Sequence, residues 1–162
     1  MLDIFKVLGE QHRDLKMMAQ VFNDESCDIY TKQNFLTDFI KLYQRQFNAK
    51  KQTLYEVLKD SEESQTLIFE FMEEFAVAQI LIEELQDCEY LSYWNLEISA
   101  KAKVLAKVVE DHLCEEETEF FTTAKRVLSS ERRLLVGEEF KQKFEAGLKA
   151  KKEPSQITLG YL

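Results

Sequence analysis

The chain has 162 residues, of which 45% are hydrophobic and 31% are charged, and its formal net charge at pH 7 is −9. This length suits a single domain with a sizeable core, and the low content of four glycines and one proline favours a helical protein. The negative charge disfavours nucleic acid and anionic membrane surfaces as partners, because both are bound through clustered lysine and arginine side chains.

The cysteines and the N-terminal segment indicate the cellular compartment in which we expect the protein. Cys27, Cys88 and Cys114 are odd in number and widely spaced, which is typical of reduced thiols in an intracellular protein. The start of the sequence has no basic residues followed by an apolar run, so we expect no signal peptide. No window approaches the roughly 18 apolar residues that span a bilayer. We therefore expect a cytoplasmic protein.

The first two predicted helices carry apolar residues at alternating spacings of three and four, which is typical of helices with one buried stripe. The first stripe consists of Phe5, Leu8, His12, Leu15, Ala19 and Phe22. The polar segment NDESCD ends this helix, and Thr31 is the predicted N-cap of the next. The second stripe consists of Phe35, Phe39, Leu42, Gln46, Lys50 and Val57.

Two further long helices and a shorter one follow. The third stripe consists of Ile68, Phe71, Phe75, Ala78, Ile82 and Leu85, and the fourth of Leu105, Val109, His112, Glu116, Phe120 and Ala124. A shorter amphipathic segment begins near Ser130, its predicted cap. The pattern predicts an all-α fold over residues 1–150, an antiparallel up-down four-helix bundle with a short accessory C-terminal helix, followed by a tail at 151–162.

Polar side chains interrupt these stripes near the middle of three helices. They are His12, Gln46, Lys50, His112 and Glu116. In an antiparallel bundle such residues meet at about one level. Their burial costs several kcal/mol unless they pair with one another or bind a metal. The sequence therefore predicts a site inside the bundle.

Three segments resemble parts of the hemerythrin-like (HHE cation-binding) domains, and the likeness covers roughly residues 2–145. LGEQHRDLKMM resembles the helix-one segment and places His12 at its ligand position. VVEDHLCEEETEFFTTAKRVLS resembles the helix-four segment, with His112 and Glu116 at ligand positions. LLVGEEFKQKF is similar to the short helix that closes such domains. The resemblance implies a four-helix bundle that holds a metal centre between its helices.

Three of the ligand positions implied by the resemblance are substituted. Gln46, Lys50 and Phe75 stand where the family has a histidine, a glutamate and a histidine. A glutamine amide is a poor substitute for imidazole on iron, and a phenyl ring supplies no donor atom. The ammonium of Lys50 would repel a dication beside it. We therefore expect that the chain does not form a di-iron centre, with Phe75 filling space that a histidine and metal would take.

Two main hypotheses remain open. In the first, the core holds no metal, Lys50 replaces the metal's charge by pairing with Glu116, and the protein binds a small molecule or a partner protein. In the second, two imidazoles and a carboxylate, from His12, His112 and Glu116, hold a single iron or zinc ion for sensing or handling oxygen, nitric oxide or iron. A non-haem iron enzyme is a third, less favoured hypothesis, and nothing in the sequence indicates the oligomeric state.

The sequence gives less specific predictions for the residues that neighbour the predicted site. Tyr43 lies one turn before Gln46 and is a predicted hydrogen-bond donor to the polar residues. Glu73, Glu74 and Glu115 are candidates for additional donors to a metal, although their spacing is typical of flanking or solvent-facing positions. The glutamates between 115 and 119, apart from Glu116, are expected to face solvent, and Cys114 lies on nearly the opposite helical face from the site.

Overall fold

The structure, a computed structural model, describes residues 1–150, and all regular secondary structure in that range is helical. The predicted tail at 151–162 lies outside the described residues. The helices are α1 (Ile4–Val21), α2 (Ile29–Gln52), α3 (Leu54–Leu58), α4 (Glu62–Asp87), α5 (Leu96–Glu115), a π-helical turn (Glu116–Phe120), α6 (Phe121–Val127) and α7 (Ser130–Ala150). None of the helices in this range is both long and apolar enough to cross a membrane.

Short polar side chains fix where the helices begin. The carboxylate of Asp28 accepts a hydrogen bond from the Thr31 backbone nitrogen at 2.7 Å, so α2 starts at Ile29. The prediction that Thr31 caps this helix was therefore wrong by three residues, because an aspartate accepts from the free amides of a first turn at least as well as a threonine. Asn95 caps α5 in the same way, through the Ile98 nitrogen at 2.8 Å.

The second predicted helix is divided at Thr53. This residue has φ −125° and ψ −83°, outside the helical range, and its hydroxyl donates to the carbonyl oxygen of Ala49 at 2.7 Å. The break separates α2 from α3, whereas the stripe through Val57 predicted one continuous helix. After the break, Leu54 and Tyr55 are both buried.

The C-terminal helix is longer than predicted. α7 has 21 residues, against 18 in α1, and it packs along both α1 and α2. Val136 and Phe140 on its inner face are almost completely buried. The prediction of a short accessory helix was therefore wrong in length. Its cap was also misplaced, because the hydroxyl of Ser129 accepts from the Arg132 nitrogen at 3.2 Å while Ser130 is already helical.

The apolar interior forms two clusters. The first includes Ile4, Phe5, Leu8, Phe47, Leu54, Tyr55, Phe71, Phe120, Phe121, Val136 and Phe140. The second includes Leu15, Phe22, Leu36, Phe39, Tyr43, Ala78, Ile82, Leu105, Val109 and Leu113. α1 and α4 pass from the first cluster to the second along the chain, whereas α2 and the α5–α6 segment pass from the second to the first. His12, Gln46 and Glu116 lie at the points where their helices change cluster.

Gly137 is a position where α7 lies close to the backbone of the N-terminal segment. A Cβ built there would lie 2.1 Å from the carbonyl oxygen of Leu2. We expect Gly137→Ala to lower the free energy of unfolding by about 1–3 kcal/mol, because the backbone near Leu2 must move away. Gly9→Ala is the control. Its Cβ would meet nothing within 4 Å, and alanine is expected to stabilise α1 by about 0.5–1 kcal/mol.

The two variants are compared by urea denaturation monitored by circular dichroism. An unchanged or increased stability of Gly137→Ala would contradict the close approach of α7 to the N-terminal segment.

Candidate functional site

The carboxylate of Glu116 is the centre of a buried polar cluster between the helices. Lys50 Nζ donates to both carboxylate oxygens, at 2.8 and 2.9 Å. The Tyr55 hydroxyl donates to Oε2 at 2.6 Å. The side chains of Lys50 and Glu116 are completely buried, and Tyr55 is 2% exposed. The ion pair predicted from the sequence is therefore present, and it has a phenolic donor that was not predicted.

Two imidazoles flank this carboxylate. His12 Nε2 lies 3.4 Å from one oxygen of Glu116, and His112 Nε2 lies 3.2 Å from the other. These atoms approach the carboxylate without the geometry of a hydrogen bond, so both remain buried without a hydrogen-bond partner in the part of the chain described. The opposite ring atoms are well held, with His12 Nδ1 2.8 Å from Glu117 and His112 Nδ1 2.8 Å from Glu74.

The carboxylates at the outer ends of the imidazoles reach solvent. The side chains of Glu74 and Glu117 are 35% and 34% exposed, whereas both histidines are buried. Lys16 completes the outer side by donating to Glu117 at 2.9 Å. Each imidazole therefore lies between one carboxylate inside the protein and one at its edge.

The π-helical turn from Glu116 to Phe120 brings two consecutive glutamates to the cluster. In a regular α-helix, successive residues point about 100° apart. Here Glu116 faces the centre while Glu117 reaches His12. Glu117, one of the residues expected to face solvent, therefore also contacts His12, while its side chain remains 34% exposed. Single π turns of this kind occur frequently at functional sites.

The protonation of the cluster follows from its contacts. Burial raises the pKa of Glu116, but the Lys50 ammonium and the two imidazoles outweigh burial and hold that pKa well below its usual range. Burial lowers the pKa of Lys50, and the Glu116 carboxylate opposes this shift. Burial also lowers the pKa of His112, yet its contacts with Glu116 and Glu74 leave that pKa raised overall. The contacts of Lys50 Nζ with both oxygens of Glu116, at 2.8 and 2.9 Å, are those of an ammonium facing a carboxylate.

Two other buried polar side chains near the cluster lack partners. The hydroxyl of Tyr43 and both amide atoms of Gln46 are buried and make no hydrogen bond with the described residues. The predicted hydrogen bond from Tyr43 to the polar cluster is therefore absent. The tyrosine instead packs its ring against Phe75 and, edge-on, against His112.

The aromatic ring that α4 places against His112 belongs to Phe71. Their ring centroids are 4.8 Å apart, and Phe71 is completely buried. Phe75, one turn later, stacks on Phe47 at 3.9 Å and is only half-buried. Phe71 is therefore the ring that packs on His112, and Phe75 packs instead against Phe47 and Tyr43.

All five polar residues predicted to share one level are buried, and four of them converge on a single point: His12, Lys50, His112 and Glu116. Sequence reasoning missed Tyr55 and Glu117. It considered Glu74 as an additional metal donor in a flanking position, whereas Glu74 contacts His112 Nδ1. The one available signal for Tyr55 was its position directly after the apolar Leu54.

The hydroxyls of Tyr55 and Tyr43 provide a matched test of the cluster. Tyr55→Phe removes a hydrogen bond to a buried carboxylate, so we expect the free energy of unfolding to fall by about 1.5–3 kcal/mol. Tyr43→Phe removes a buried hydroxyl without a partner and is expected to be neutral or stabilising. Urea denaturation of both variants measures the difference. Equal losses of stability would count against Tyr55 as a donor to Glu116.

In this arrangement the cluster does not fit a metal ion. Both oxygens of Glu116 accept hydrogen bonds from Lys50 and Tyr55, and the Lys50 ammonium stands 2.8 Å from the carboxylate. A dication beside that ammonium would be repelled. Within the described part of the chain, no group of three or more histidine, cysteine or acidic side chains is arranged to hold a metal. Cys114 is exposed, away from the cluster.

Comparison with known proteins adds no relative. A scan against protein-family models, a search of curated proteins and a search of solved structures each found no match. The resemblance described above therefore rests on the sequence segments alone, and any assignment of function rests on the chemistry of the buried cluster and of the surface.

Proposed function

We propose that this chain is a hemerythrin-like helical bundle in which an internal ammonium takes the place of a metal. In this proposal it acts by binding a small molecule or a partner protein. It does not carry oxygen on iron. The observation that carries the proposal is the buried contact of Lys50 Nζ with both oxygens of Glu116.

The order of the apolar clusters supports an antiparallel four-helix arrangement. α1 and α4 run from the first cluster to the second, and α2 and the α5–α6 segment run in the opposite order. This alternation is what an up-down-up-down bundle requires. The polar residues then come from facing helices at one level, which is where bundles of this type place their ligand sets.

Charge supports the absence of a metal in the cluster. A lone carboxylate in a dry interior is unstable, so Glu116 requires either a cation or a proton. Lys50 supplies the cation from within the chain, and Tyr55 supplies an additional hydrogen bond. A buried carboxylate without a metal is tolerated when a cation on the facing helix pairs with it.

A second candidate is a single-metal protein, and the geometry of the histidines favours it. Imidazoles that ligate metals commonly donate the other ring N–H to a carboxylate. His12 and His112 each have such a carboxylate at Nδ1, and each directs an unpartnered Nε2 towards Glu116. One iron or zinc ion bound to these three residues would require Lys50 to move away from Glu116.

Metal content per chain separates the two candidates. The protein is purified anaerobically, incubated with ferrous iron or zinc, dialysed and analysed by elemental analysis. The metal-free proposal predicts no stoichiometric metal. The single-metal candidate predicts about one ion per chain, lost in His112→Ala and retained in Cys114→Ala, the exposed control on the same helix. Two irons per chain would contradict both candidates.

A further inference from the structure

A groove on the surface between α2, α4 and α7 encloses a volume of about 680 Å³. Sites for small organic molecules commonly have volumes of about 300–1,000 Å³. Arg45 and Lys143 contribute positive charge to its lining, and the amide side chains of Gln44, Asn48 and Gln79 contribute hydrogen-bonding groups. None of the residues that line the groove is acidic, although the whole chain contains 30 acidic residues. The described lining of the groove therefore carries two positive charges on a chain whose net charge is −9.

Arg45 is held in position by the backbone and the ring of Phe144. One Nη atom donates to the carbonyl oxygen of Phe144 at 2.9 Å, and the guanidinium carbon lies 3.9 Å from the centre of the Phe144 ring. No carboxylate among the described side chains lies within 4 Å of Arg45. A guanidinium stacked on a ring and fixed by a carbonyl is pre-organised to bind an anion through its remaining donors.

One wall of the groove is aromatic. Phe75 lines it and stacks on Phe47, with an interplanar angle of 4°. Gln44 donates to Gln79 at 3.0 Å across the space between α2 and α4, which holds two of the amides in place. The groove thus combines an apolar ring, oriented amides and two cations, a combination suited to an organic anion with an apolar portion.

We propose that this groove binds a small organic molecule carrying a carboxylate or a phosphate group, with the anionic group on Arg45 and Lys143. The inference gives a ligand class to the proposed binding function and rests on the small-molecule form of that function. It does not depend on the metal content of the buried cluster, because none of the groove's lining residues contacts Glu116 or either histidine directly through a hydrogen bond or an ion pair.

The test is a titration of the ¹⁵N-labelled full chain followed by NMR, with succinate, inorganic phosphate and the neutral analogue succinamide as probes. Succinate or phosphate is expected to shift the backbone signals of Gln44, Asn48 and Gln79 saturably, whereas succinamide is not. Arg45→Gln is expected to weaken binding by about tenfold or more, which corresponds to the loss of one charge-assisted hydrogen bond.

Two further variants keep the outcome clear. Lys143→Gln changes an exposed residue, so it is expected to fold and to weaken binding about threefold. Arg126→Gln is the matched control, because Arg126 is exposed, lies outside the groove and pairs with Glu63. Binding by succinate alone identifies carboxylates as the ligand class, and binding by phosphate alone identifies phosphate esters.

Signal changes outside the groove, or equal affinity in Arg45→Gln, Lys143→Gln and Arg126→Gln, would overturn the inference, as would the absence of binding by both anions. Elemental analysis of the same preparations separates this failure from failure of the proposed function. If the protein is metal-free and binds neither anion, only the proposal of a ligand site in the groove is refuted. If the protein contains stoichiometric metal, the metal-free proposal is refuted, whatever the result of the anion titration.

Discussion

Lys50→Met is expected to lower the free energy of unfolding at pH 7 by about 3–5 kcal/mol, as observed when one partner of a buried ion pair is removed. The substitution keeps most of the side-chain volume but leaves Glu116 with only Tyr55 and the two imidazoles around it. The pKa of Glu116 is expected to rise in response. Urea denaturation of the metal-free protein, repeated between pH 7 and pH 4, measures both effects.

The pH dependence has a definite sign. Because the pKa of Glu116 in the folded protein lies well below its ordinary value of 4.5, the stability that this group contributes is complete above about pH 4.5 and is lost as the pH falls through the folded pKa. In Lys50→Met the raised pKa of Glu116 means that this group no longer stabilises the folded protein at neutral pH. The difference in the free energy of unfolding between the wild-type protein and Lys50→Met should therefore narrow as the pH falls.

The double variant Lys50→Met/Glu116→Gln is the control for this result. It removes the buried charge as well as its partner, so it is expected to be more stable than Lys50→Met alone. The exposed neighbour Lys51→Met controls for the general loss of a lysine on the same helix. If Lys50→Met were as stable as Lys51→Met, the buried pair would not support the fold.

Gln46→His together with Lys50→Glu is expected to convert the cluster into a metal-binding site. The two substitutions add an imidazole and a second carboxylate on α2, opposite His12, His112 and Glu116. Without metal, two facing carboxylates in the interior repel each other and the variant should be strongly destabilised. With iron or zinc at about a thousandfold excess over the dissociation constant, binding restores about 4 kcal/mol.

Thermal denaturation with and without metal, combined with elemental analysis, measures this conversion. Lys51→Glu makes the same charge change at an exposed position of α2 and should show neither the instability nor the rescue. If the Gln46→His/Lys50→Glu variant folds but its melting temperature does not change when metal is added, α2 does not face the two histidines.

Much of the fold could be predicted from periodicity, because each long helix has a single buried stripe. The errors occur where local polar contacts compete with that stripe. Thr53 ends α2 by bonding to Ala49, and Asp28 caps it ahead of Thr31. The length of α7 was underestimated, because its weakly amphipathic sequence does not reveal that it covers α1 and α2 along its length.

The inner residues of the site could also be predicted, since polar side chains on apolar stripes are uncommon unless they meet. The outer residues could not. Glu117 is off the stripe, and it contacts His12 from within a π-helical turn. Tyr55 donates to Glu116 from the short helix that follows the break at Thr53. Both depend on backbone irregularities that helical periodicity does not encode.

The position of the buried ion pair between two apolar clusters also constrains how the helices can slide. Moving α2 along its axis by one turn, about 5.4 Å, would leave most leucines and phenylalanines facing other apolar groups. The same movement would separate Lys50 from Glu116 and leave both charges buried among apolar side chains without a partner. One polar contact thus selects a single longitudinal alignment from several that hydrophobic packing alone would tolerate.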